Sequence, residues 1–94
     1  MEFEWDPAKS RMNRLKHGVS FEQAIAIWDD THVAVEPIAR SLNGEQRNAT
    51  LGWIGRKVYV AIWTERDSKA RIISVRRARP SEERIFHEKI QERE

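Results

Sequence analysis

The chain has no cysteine, which excludes disulfides, thiolate-bound zinc and iron–sulfur clusters and leaves nothing that argues for secretion. No apolar run approaches the ~18 residues of a membrane span, and the opening MEFEWD is acidic where a signal peptide is basic and then apolar. These gaps point to a soluble cytoplasmic protein with no membrane partner. Its four glycines are isolated, so there is no glycine-rich phosphate loop, and neither internal repeats nor low-complexity segments are present. Metal ligands are sparse too. Asp29-Asp30 lacks a convergent His or Glu and reads better as a solvated helix end than as a ligand set. No metal or other cofactor is expected.

What is present suffices for one compact unit. The 94 residues leave room for a single domain, 1–94, which buries roughly 60–65% of its unfolded surface. With 39% hydrophobic residues, four Trp and three Phe, the chain is too apolar and too patterned for disorder.

Helix signals come first. Phe3 and Trp5 bracket a short leading segment, then Asp6-Pro7 supplies an N-cap carboxylate and a proline at the first helical position, and Gly18 supplies a stop. This predicts a helix over 7–17 with Ala8, Met12 and Leu15 on one face. Ser20-Phe21-Glu22-Gln23 reads as a capping box and starts a second helix, whose buried face would hold Phe21, Ala24, Ile25 and Trp28. Val33–Val35 is a short strand ending before Pro37, and 38–45 reads as a mobile connection. Gln46–Ile54 and Val58–Trp63 are strands joined at Gly55-Arg56, Ile72–Val75 is a fourth, and Pro80 opens a helix over 81–94.

Charge is not spread evenly along these elements. Between Arg56 and Arg79 eight Lys or Arg face only Glu65 and Asp67, a net of +6, whereas the whole chain carries +2. The remainder is therefore acidic. Positive charge concentrated on one β-hairpin fits a polyanionic partner.

In order, WDPAK at Trp5–Lys9, LKHGVSFEQA at Leu15–Ala24, WDD at Trp28–Asp30, GEQR at Gly44–Arg47 and TER…RIISVRRA at Thr64–Ala78 together resemble the BrnT family, toxins of bacterial type II toxin–antitoxin modules. The resemblance spans nearly the whole chain. It implies an α+β, RelE-like fold with two N-terminal helices, a four-stranded antiparallel sheet and a C-terminal helix. It also implies a metal-independent endoribonuclease that blocks translation. The implied partner is a BrnA-like ribbon-helix-helix antitoxin, which would bring operator DNA only through itself. Arg79 departs from the family pattern, where a small capping Thr or Ser is commoner.

Cleaving RNA without a metal requires in-line attack of a 2′-hydroxyl on the adjacent phosphate, with charge growing on the non-bridging oxygens. Arginine suits that charge, because its planar fork holds two phosphate oxygens and stays protonated. Arg66, Arg71 and Arg76 are the catalytic candidates, and Arg77, Lys57 and Lys69 are candidates for holding RNA. Arg76 and Arg77 point to opposite faces of their strand: strict alternation puts Arg76 with Ser74 and Ile72, and Arg77 with Val75 and Ile73. Glu65 can serve as the base or be ion-paired to Arg66 or Arg71, and Trp63 can stack an unpaired base or belong to the core. His17, His32 and His87 all lie outside the hairpin. A rival reading is a non-catalytic module whose basic hairpin docks an acidic partner or merely holds nucleic acid.

Overall fold

Capping chemistry sets the N-terminal third. In the computed structural model, which describes residues 1–35 and 44–93, helix α1 (Pro7–His17) starts with Asp6 in extended backbone, its carboxylate accepting from the Ala8 N–H at 2.9 Å. Gly18, at φ 81°, ends it by donating to the Arg14 carbonyl. The Ser20–Gln23 capping box forms in both directions. The helix it opens is not continuous. It breaks at Ile25 into two single turns, α2 (Phe21–Ala24) and α3 (Ala26–Asp29), and the change of phase buries Ile27 where Ile25 was expected.

The sheet has one strand more than the sequence suggested. Strands β1 (Glu2–Glu4), β2 (His32–Val35), β3 (Asn48–Ile54), β4 (Lys57–Arg66) and β5 (Lys69–Arg77) lie in the order β1-β5-β4-β3-β2. Four of them pair antiparallel as anticipated, but β1 adds to the edge of β5 in parallel, with Phe3 opposite Ala70. The two hairpin strands also reach further than Trp63 and Ile72. Strands β4 and β5 run on through their charged ends to a two-residue turn, Asp67-Ser68, with φ of 53° and 65° at the two positions. Such left-handed pairs match the twist of a hairpin. Helix α4 (Pro80–Arg93) closes the described chain, and the connection expected over 38–45 lies mostly outside the described residues.

Two apolar layers sandwich this sheet. On one face Phe21, Ala24 and Ile27 from α2 and α3 pack on Ala61, Ile72 and Val75. Against them lie Phe3, Trp5, Trp28 and Trp63. Gly52 permits the closest approach, because a Cβ there would sit 2.7 Å from an Ile27 side-chain carbon and 2.9 Å from its carbonyl oxygen. On the other face Phe86 of α4 packs with Val33, Leu51, Val58 and Val60, and meets the Trp53 ring edge-on at 5.4 Å.

An irregularity in β5 decides which side chains share a face. Ile62 pairs with Ser74 and Trp63 with Ile72, so Ile73 is an extra residue, a bulge. Strict alternation therefore fails. Ile72 joins Val75 and Arg77 on the α2–α3 side, while Ser74 and Arg76 face the α4 side.

Helix α1 is turned the other way from expectation. Its inward residues are polar: Ser10 and Asn13 are buried, whereas Met12 is 63% and Leu15 82% exposed. The Asn13 carboxamide accepts from the Val75 N–H and donates to the Val75 and Val19 carbonyls, and the Ser10 hydroxyl accepts from the Phe21 N–H. Beyond the reach of β1, Asn13 thus completes the exposed edge of β5 as a strand would.

Candidate nucleic-acid interface

Helix α4 covers only part of its side of the sheet. Alternation along the hairpin sends Thr64 and Arg66 of β4 and Lys69 and Arg71 of β5 to the same side beyond the helix. There a depression of about 270 Å³ is lined by Arg66, Arg71, Thr64 and Ile73 from the hairpin. The chain before β3 adds Glu45 and Arg47, and α1 adds Lys9. Four cations thus meet one carboxylate within the lining. Thr64 is buried, and its hydroxyl donates to the Gln46 carbonyl at 2.8 Å, tying the Glu45–Arg47 segment down beside β4.

The hairpin's charge is largely answered by carboxylates from elsewhere in the chain. Arg66 reaches both oxygens of Glu45 at 3.0 and 3.2 Å, and Arg76 grips Glu82 with two nitrogens at 2.8 and 2.9 Å. Arg77 pairs with Glu83 at 3.2 Å. The β1 pairings are looser: Lys69 to Glu2 at 3.8 Å and Arg71 to Glu4 at 3.7 Å. Long contacts of this kind are weak and easily exchanged, whereas a fork on a carboxylate is not. Arg71 is therefore more available to a phosphate than Arg76.

Arg47 is the exception among these groups. Its Nε is buried and has no hydrogen-bond partner among the described residues. An unpaired buried donor is costly, by about 1–3 kcal/mol. The sequence reading missed Arg47 and Lys9 because it counted charge only within the hairpin. Both nonetheless stand in blocks, GEQR and WDPAK, that carry the family resemblance.

Of the residues picked out beforehand, Arg66 and Arg71 come together in the depression, with Lys69 on the same side of the sheet. Arg76 shares that side but lies at the start of α4, outside the lining. Arg77 pairs across from Tyr59 on the opposite face, and Lys57 is at the far end of β4, roughly 30 Å from Arg66 at 3.3 Å per residue. Glu65 makes no ion pair among the described residues, and it lines a smaller neighbouring depression with Glu45 and Asn48. Trp63 is held in the packing, donating from its indole to Thr50 at 2.9 Å and meeting the Trp28 ring edge-on.

Two carboxyl groups are shifted by these arginines. The Arg66 guanidinium holds the Glu45 carboxyl below its ordinary range, helped by Thr64 and Arg47. Arg76 does the same to Glu82, whose carboxylate also accepts from the Arg79 N–H. This contact is half of a capping box. Arg79 has no short hydroxyl for the other half. A carboxyl depressed in the folded state stabilises the fold above its unfolded pKa of about 4.3, and that stabilisation is lost as pH falls through the folded value. Glu82→Gln is therefore expected to flatten the decline of stability below about pH 5. Urea midpoints across the acid range measure it, and an unchanged slope would show that the bridge contributes nothing.

A mixed sheet half-covered by helices, with a cationic depression on the bare half, defines a small α+β domain with a concentrated patch of positive charge. No grouping of three or more metal-ligating side chains occurs among the described residues, and no described helix is long and apolar enough to cross a membrane. The family model described as "Ribonuclease toxin, BrnT, of type II toxin-antitoxin system" matches residues 5–82, from just after β1 into the first turn of α4. The chain belongs to this family of ribonuclease toxins. No curated protein matches it.

Proposed function

We propose that the chain is a metal-independent endoribonuclease, a RelE-like cytoplasmic toxin that cuts RNA and so inhibits translation. The observation that carries this reading is the depression where Arg47, Arg66, Arg71 and Lys9 converge. A backbone phosphate seated there receives the Arg47 and Arg71 forks. It also competes with Glu45 for Arg66. The 2′-hydroxyl attacks the phosphorus, the 5′-oxygen leaves with a proton from solvent, and a 2′,3′-cyclic phosphate remains. The arginines offset the charge that grows on the non-bridging oxygens.

Glu45 is the carboxylate placed to take the 2′-hydroxyl proton. Once phosphate draws Arg66 away, the influence that lowers its pKa weakens and its basicity rises. Glu45→Gln is expected to tighten RNA binding, by removing a negative charge from the depression, while slowing cleavage. A variant with both binding and turnover unchanged would remove Glu45 from the mechanism.

The defining experiment incubates purified protein with RNA in EDTA. Short products ending in cyclic phosphate support the reading; RNA that stays intact until a divalent cation is added overturns it. A salt-sensitive complex without any products would instead favour a binding module. The partner in this reading is a ribbon-helix-helix antitoxin, which represses the operon and neutralises the toxin.

A further inference from the structure

The outer surface of α1 is left over from the account above. Plotted at 100° per residue, Ala8, Met12 and Leu15 form one apolar stripe, and the opposite side carries the buried Ser10 and Asn13. Lys9 and Lys16 border the stripe on one side, Arg11 and Arg14 on the other, and no carboxylate occurs between Pro7 and His17. A solvent-facing helix is ordinarily polar outside and apolar inside. Here the polar side is held inward by the Asn13 and Ser10 hydrogen bonds, so the apolar stripe is left largely exposed.

We propose that this stripe is the docking surface for an acidic amphipathic helix of the antitoxin, and that seating this helix obstructs the cationic depression. Charge complementarity selects the occupant: Leu- or Met-like residues meet Met12 and Leu15, and flanking carboxylates meet the two cationic borders. Symmetric pairing of two copies through α1 would instead bring eight cations together. RNA gains nothing from the apolar stripe. The link to activity is Lys9, which borders the stripe and also lines the depression. A partner lying along α1 therefore ends at the place where phosphate would enter. The inference rests on the toxin reading for its partner, but its surface can be tested separately.

The test uses the protein encoded by the reading frame adjacent to this one. Wild type, the double variant Met12→Glu with Leu15→Glu, and Arg84→Glu on the exposed side of α4 are compared for binding to it, for RNA cleavage and for melting temperature. The double variant is expected to bind about 100-fold more weakly, the usual consequence of losing a buried apolar anchor, and to cleave RNA and melt like wild type. Arg84→Glu should bind normally. Undiminished binding by the double variant overturns the proposal, as does failure of the wild type to bind that protein. A wild-type dimer that the double variant breaks assigns the stripe to a second copy, and selective loss of RNA binding assigns it to RNA; either result overturns it. If complex formation depends on the stripe but the free chain never cuts RNA, the docking surface stands and the nuclease reading falls.

Discussion

Arg71→Ala is expected to lower RNA cleavage by about 10²- to 10³-fold while leaving the melting temperature almost unchanged. Its only ion pair among the described residues is the 3.7 Å contact with Glu4, which is too long and too exposed to contribute much to stability. In the proposed mechanism nearly all of its worth therefore falls on the phosphate. Arg47→Ala should behave alike in cleavage, and it also removes a buried donor that has no partner among the described residues. Arg76→Ala should differ from both: it strips a bidentate partner from Glu82 at the start of α4 and lowers stability before it touches RNA. Cleavage rates and thermal melts on the three variants separate these roles. Full activity in Arg71→Ala would place the phosphate elsewhere.

Asn13→Leu is expected to be the most destabilising of these substitutions, although Leu branches at the same carbon. It leaves the Val75 N–H and the Val75 and Val19 carbonyls without the carboxamide that served all three. At about 1–3 kcal/mol for each buried group left unpaired, the loss is roughly 3 kcal/mol or more, a large part of the ~5–15 kcal/mol that holds a domain together. Chemical denaturation measures it directly. A loss below about 1 kcal/mol would mean that water takes over these bonds. Met12→Ala on the same helix removes a largely exposed side chain and should change stability little.

Asn13 also shows where sequence reading stops. Local signals were legible, since Asp6-Pro7, Gly18, the Ser20–Gln23 box and Gly55-Arg56 all act through neighbours a few residues away. What was not legible depends on partners far along the chain. The apolar spacing of Ala8, Met12 and Leu15 correctly marks one face of α1. That it faces outward follows from hydrogen bonds to Val19, Phe21 and, 62 positions beyond Asn13, Val75. Three residues, Glu-Phe-Glu, carry too little pattern to reveal β1, and nothing local announces the bulge at Ile73 that reverses the alternation of β5. The same holds for the site. Counting charge found Arg66 and Arg71, but the pairing of the hairpin with Glu2, Glu4, Glu45, Glu82 and Glu83, and the arrival of Arg47 and Lys9, are products of tertiary structure.

The parallel seat of β1 and the clamp of Asn13 share one requirement, that β5 already exist. A ribosome making this protein must release Val75 before either early element can find its place. Until then the nascent chain lacks the docked α1 that brings Lys9 to the depression. The cationic depression is complete only once β5 is in place.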